Sequence, residues 1–329
     1  MVFMEHTMRL LWVLAGFLTA ISIVQATPTQ NPGMRMLGVE NYKGAETYFQ
    51  CELKKFPHDA QAAAGLAKVN IAQGNYKAGV DWARKAAALQ PNHATYELLV
   101  ADAYRYYVSD VSFFSKFGIA DKILAAYRRA VALDQKNVDA HYSLAEYYIQ
   151  APGIVGGSNK KAKEQIALLD KLDPVEADLA MASLSFKHDH KHAGENYLRA
   201  ASKLDKTGDS DYHLGRYLLG AKHFKQAIKV FEDGVRKDPN NSKNYYQIGL
   251  ASVLGKINIL NGIHNFQKYL TMPHSWRPGT PLYAWAHYRL GILFGLSGNK
   301  AEAEQQYETA LKLDSGFKRA RQALEKLKK

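Results

Sequence analysis

The strongest constraint on this chain is a helix-terminating position that recurs along its whole length. Proline, or a polar residue in its place, stands at Pro57, Pro91, Gln135, Pro174, Asp205, Pro239, Pro273 and Ser315. Three of the seven steps are 34 residues, and the others are 44, 39, 31 and 42. They read as one unit carrying insertions or a single short deletion. Such a period marks a stacked repeat, because each unit buries its apolar face only against its neighbours. A chain of this kind is expected to bind other molecules rather than transform them.

The last full unit is the clearest. Residues 284–315 read AWAHYRLGILFGLSGNKAEAEQQYETALKLDS. Leu290-Gly291 falls in a first helix, Gly298-Asn299 in a turn, and Ala303, Tyr307 and Ala310 along a second helix. Small residues let the two helices approach, and Leu290, Phe294 and Tyr307 fill the space between them. The same positions recur as Leu214-Gly215, Phe224, Ala227, Phe231, Gly234 and Pro239, and as Leu66-Ala67, Gly74-Asn75-Tyr76, Ala83, Ala86 and Pro91. Leu144-Ala145 with Tyr148, and Ile248-Gly249 with Phe266, continue the series. This pattern resembles the tetratricopeptide repeat over roughly residues 38–315. The resemblance implies an all-α, right-handed superhelical solenoid of about seven to eight antiparallel helix pairs. The basic segment 316–329, GFKRARQALEKLKK, is expected to be its polar capping helix. The first unit is expected to show only its second helix, Tyr42 to Lys55, and the unit around 175–205 is degenerate, with Ser185 where an aromatic belongs.

The N-terminus carries an address. Leu10–Val24 reads LLWVLAGFLTAISIV, follows Arg9, and ends at Val24-Gln25-Ala26, the plan of a signal peptide cut after Ala26. A start at Met8 gives a cleaner charged lead than Met1, because Glu5 offsets Arg9. The run is too short for a spanning helix, and no later segment is long and apolar enough to be one. Residues 1–26 are therefore expected to be a signal segment and 27–329 the solenoid, exported to the periplasm, with secretion as the alternative.

Composition narrows the partners. The 43 Lys and Arg against 31 Asp and Glu give a net charge of +12, which favours acidic partners and anionic surfaces. The basic residues are scattered and form no block, so the excess also serves plain solubility, and no nucleic-acid partner is expected. The single cysteine, Cys51, forbids an intrachain disulfide or a CxxC redox site; beside Phe49 and Leu53 it is expected to be packed. No HExxH, GxSxG or zinc-type cysteine pair occurs, so neither catalysis nor a cofactor is expected. His188-Asp189-His190-Lys191-His192 is the only metal-like cluster, and the repeat register puts it in an exposed turn between helices.

Three insertions break the period. Residues 106–118, YYVSDVSFFSKFG, bring Tyr107, Phe113, Phe114 and Phe117, which either lengthen a first helix and pack or form a docking patch. Residues 151–158, APGIVGGS, stop one helix at Pro152-Gly153 and let Ser158 cap the next near Asn159. Gly156, Gly157 and Lys160 lack the glycine-lysine adjacency and preceding strand of a phosphate loop. Residues 273–281, with three prolines and Trp276, form a stiff linker.

The resemblance implies that first helices line the inner face. Two residues before each Leu-Gly pair, or its equivalent, stand Tyr142, Tyr212, Tyr246 and Tyr288, an expected tyrosine ladder. Tyrosine is rigid, apolar over its ring and polar at its hydroxyl, which suits peptide contact. Arg216 lies one turn beyond Tyr212, and Lys243 and Trp285 begin their helices nearby. Together these seven are the candidate groove for a protein or peptide segment with acidic groups. The bland alternative is that the tyrosines simply support the superhelix. The Lys/Asn pattern with which some chaperone-binding members of the family clamp a C-terminal carboxylate does not occur.

Overall fold

The computed structural model describes residues 31–272 and 282–328. The expected signal segment, residues 1–26, and the expected linker with Trp276 lie outside the described residues. The described residues form helices and no strand. Seventeen α-helices follow one another: α1 (Pro32–Gly38), α2 (Tyr42–Lys55), α3 (Ala60–Ala72), α4 (Tyr76–Leu89), α5 (Ala94–Tyr107), α6 (Phe113–Leu133), α7 (Val138–Gln150), α8 (Asn159–Leu172), α9 (Pro174–Lys187), α10 (Lys191–Leu204), α11 (Asp209–Gly220), α12 (Phe224–Lys237), α13 (Ser242–Gly255), α14 (Ile259–Thr271), α15 (Tyr283–Leu296), α16 (Lys300–Leu313) and α17 (Lys318–Leu327). They make eight pairs and a terminal cap, the expected all-α repeat architecture. Every second helix ends one or two residues before a recurring terminator, from Lys55 before Pro57 to Leu313 before Ser315.

The helix ends are written in polar side chains. Asn41, Asp59, Asn137, Ser158 and Asp173 accept hydrogen bonds from backbone N–H groups in the first turns of α2, α3, α7, α8 and α9. These donors would otherwise be unsatisfied. Pro174 does more than end a unit: it occupies the first turn of α9, where a missing N–H costs nothing. At the degenerate step Asp205 replaces proline. Its carboxylate accepts from the N–H and hydroxyl of Thr207, both at 2.7 Å, and from the N–H of Ser210 at 2.8 Å. That local bonding closes the turn into α11 without a proline.

First and second helices differ in burial because of their neighbours. Ten of the thirteen residues of α3 are buried, since it touches α2, α4 and α5. Second helices are amphipathic: α12 buries Ala227, Ile228, Phe231 and Gly234 and exposes Lys225, Lys229 and Arg236. The described residues divide into two compact bodies, one up to Gly194 and one from Glu195 onward. In the first, Leu37, Phe49, Leu66 and Val69 share a core. In the second, Tyr246, Phe266, Tyr269, Leu290 and Leu293 share another.

Three expectations are corrected. The first unit does have a first helix, the short α1, capped by Asn31. The insertion at 106–118 lengthens the second helix of its pair, α6, to 21 residues rather than the first. Phe114 stays 84% exposed at its tip, and Phe113 and Phe117 meet edge to face at 5.6 Å. Cys51 is exposed, not packed: Ala45 and Phe49 define the buried face of α2, and a residue two places beyond Phe49 points away from it. Ser158 caps α8 as expected, and a Cβ on Gly157 would stand 1.8 Å from the Ala151 carbonyl oxygen, so only glycine fits that turn.

Candidate partner-binding site

Stacked first helices make the candidate face of each body. In the second body α11 packs on α13 and α13 on α15, with α17 closing the stack against α16. Tyr212 on α11 is half-buried and lies beneath two cations: the Arg216 guanidinium 5.5 Å and the Lys243 ammonium 5.4 Å from the ring centre. Lys243 also pairs with Asp209 at 3.5 Å. Three residues along α13 from Lys243, Tyr246 begins a second cluster. Arg289 of α15 sits 5.2 Å from the Tyr246 ring and 5.1 Å from the Trp285 ring, and Arg319 of α17 sits 5.4 Å from Trp285.

The expected tyrosine ladder does not stand as a continuous surface. Tyr142 is 4% exposed and Tyr246 2% exposed, so neither ring offers a face to a partner. Tyr246 is a core residue: its ring meets Phe266 at 5.4 Å and Tyr269 at 5.1 Å. Trp285 and Tyr288 are partly buried and pack on Phe317 of the capping segment at 4.5 and 5.2 Å. Their rings thus serve the cap as well as the face. Tyr212 and Arg216 come closest to the expectation, one half-buried and one exposed. The sequence reading missed Arg289 and Arg319. The signal was present: Trp285 and Arg289 repeat the one-turn spacing of Tyr212 and Arg216.

The electrostatics of this face are positive. No ion pair holds Arg216, Arg289 or Arg319 among the described residues. Burial pushes the Arg289 guanidinium down to about 10, and the neighbouring Arg319 adds to that. His213, beside Tyr212, reports the same field. Burial first, then Lys243, pushes its imidazole down to about 4, with Arg216 contributing. A base depressed below its unfolded value stabilises the fold fully above pH of about 6.5, and that contribution is lost as pH falls towards 4. Replacing Arg216 by alanine is therefore expected to raise the His213 midpoint, followed by the imidazole proton shifts in an NMR titration. An unchanged midpoint would mean that Arg216 points away in solution.

The first body holds its charges inside. Tyr142 packs near Glu146, whose Oε2 accepts from the Ser183 hydroxyl at 3.1 Å and whose Oε1 is buried without a hydrogen bond. The Tyr127 hydroxyl donates to Asp102 at 3.2 Å, and Arg105 lies 3.5 Å from the same carboxylate. A cleft of about 340 Å³ between α4, α5 and α6 is lined by Arg84, Tyr104, Lys122 and Arg129, where Glu97 already pairs with Arg129 at 2.8 Å. Residues 188–190 form the turn between α9 and α10, and Lys191 and His192 open α10, so the cluster is split between turn and helix; His188 bonds Asn159 at 2.8 Å, and no three metal-ligating side chains converge among the described residues.

This arrangement of helix pairs agrees with the comparison to known families. Residues 35–94 match the tetratricopeptide repeat family model. No curated protein matches the chain. Among solved structures it is similar to YrrB, described as a tetratricopeptide protein with an unusual peptide-binding site, at 17% identity over 73% of this chain and 96% of that one, with a TM-score of 0.36. It is also similar to PilF of Pseudomonas aeruginosa, at 16% identity over 68% and 95%, TM-score 0.44. A thermophilic tetratricopeptide protein of Thermus thermophilus gives 16% identity over 67% and 94%, TM-score 0.43.

Proposed function

We propose that this chain is a non-enzymatic interaction scaffold of the cell envelope, which holds a peptide or helix of a partner protein on its first-helix face. The observation that carries this reading is the set of cations held over aromatic rings on α11, α13 and α15 of the second body. Packed helices fix those groups in advance, so a ligand meets little ordering cost in the receptor. Export rests on the apolar run Leu10–Val24 and the small residue Ala26. Periplasmic residence follows from that run together with a chain that needs no disulfide.

The test is capture of partners from an envelope extract by the tagged protein at low and high salt, beside a Tyr212→Ala/Arg216→Ala variant. A discrete protein retained at high salt and lost in the variant is expected. Salt-labile, heterogeneous material held equally by the variant would replace this reading with the second one, binding of anionic polymers or headgroups through the +12 surface. Cell fractionation with intact-mass measurement checks export, the expected mature chain beginning at Thr27.

A further inference from the structure

We propose that Arg289 and Arg319, with Trp285 between them, form a binding site for an acidic side chain of a peptide that also places an apolar residue on the neighbouring aromatic rings. This rests on the peptide-binding reading above and assigns its chemistry at one place. Arg289 is partly buried on α15 beside the Tyr246 ring of α13, and the charge that bears on it is another cation, Arg319. A guanidinium removed from water needs an anion or an array of acceptors. The rings of Tyr246 and Trp285 supply only the weaker attraction of a π face. Two guanidiniums about one indole repel each other; a carboxylate beside them would relieve that repulsion, and the planar fork of arginine suits carboxylate.

The adjoining helix end adds to the same field. α17 begins at Lys318 without a side-chain cap and without an acidic residue in its first turn, so its positive end and free N–H groups lie next to Arg319. Burial and Arg319 both disfavour the charge on Arg289, which an anion placed beside it would offset. The aromatic wall chooses among anions. Trp285, Tyr288 and Phe317 meet within 4.5 to 6.0 Å and leave the indole and phenol partly exposed beside the cations. An acidic residue next to a leucine or phenylalanine fills both halves. A lipid surface needs cations projecting outward, whereas Arg289 is recessed between helices.

The experiment uses the full chain and a random dodecapeptide display library. Peptides selected on the wild type are resynthesised with glutamate or glutamine at the acidic position, and their affinities are measured by fluorescence anisotropy. We expect about tenfold tighter binding of the glutamate form, the effect of one charge-assisted contact. The preference should fall below about twofold in Arg289→Gln and in Arg319→Gln. Arg319 is exposed on the last helix, so its variant keeps the test valid if Arg289→Gln fails to fold. Selected peptides without an acidic preference would overturn this site and leave the peptide-binding reading standing. No selected peptide at all would overturn both. Binding to phosphatidylglycerol vesicles, lost in both variants while glutamate peptides do not bind, would reassign the two arginines to a headgroup.

Discussion

Phe231→Ala is expected to remove about 3–5 kcal/mol from the second body, the usual cost of deleting a fully buried phenyl ring. The ring is 0% exposed and lies between α11 and α12 against Gly215, where a Cβ would come within 2.3 Å of it. The repeat's small-residue position thus exists to admit the aromatic one. A Cβ on Gly249 would likewise come within 2.5 Å of Phe266, and one on Gly291 within 2.6 Å of Tyr307. Gly215→Ala should therefore destabilise by about 1–3 kcal/mol through overpacking, although alanine favours a helix by about 1 kcal/mol. Gly295→Ala on α15 is the control. Nothing lies within 4 Å of its Cβ, so only the helix preference remains and stability should rise. Urea melts of the three variants decide the matter. If Gly215→Ala matched Gly295→Ala, the close approach of α11 to Phe231 would be wrong; with the expected loss, a Gly215→Ala/Phe231→Leu double variant should recover part of it.

The architecture was legible in the sequence because the repeat writes each contact several times. Leu-Gly pairs, second-helix aromatics and terminators recur at fixed spacing, so one ambiguous unit is read from the others. The degenerate unit shows the limit. Ser185 is buried on α9 and bonds the Met181 carbonyl at 2.8 Å, while the aromatic sits one place on at Phe186, facing Gly194 across the turn. Glycine and ring have exchanged helices, a swap that conserves volume but breaks the pattern. The candidate face was less legible. A position in register, such as Tyr246, says which helix face a side chain leaves from but not how deep the next helix covers it. Phe266 and Tyr269 of α14 cover Tyr246, and the cap residue Phe317 takes up part of Trp285 and Tyr288. Arg289 repeats the one-turn spacing of Tyr212 and Arg216 and was legible on that ground, whereas its relation to Arg319, 30 places away, was not.

Glu146→Gln is expected to stabilise the first body above neutral pH, by up to about 3 kcal/mol. Burial pushes the Glu146 carboxyl up to about 7 against an ordinary value of 4.5, and the Ser183 and Gln150 bonds only partly oppose it. The sign follows from which state holds the proton. Between pH of 4.5 and about 7 the folded chain keeps a proton that the unfolded chain has released, so stability falls as pH rises through this window. The contribution is whole below the unfolded value and gone above the folded one. Glutamine keeps an acceptor for Ser183 and Gln150 and puts a donor where Oε1 now has no hydrogen bond. It cannot ionise, so its stability should stay level over the same window. The effect runs opposite to that of His213 in the second body, whose stabilisation grows as pH rises from about 4. Denaturation at pH 5, 6, 7 and 8 should thus show a wild-type transition that weakens with pH and a variant transition that does not. A variant weaker than wild type at pH 8 would mean that the carboxylate is ionised and paired, most directly with Arg105, whose charge favours its ionised form. That outcome would turn the first body's interior from a protonated hydrogen-bond network into an ion-pair network.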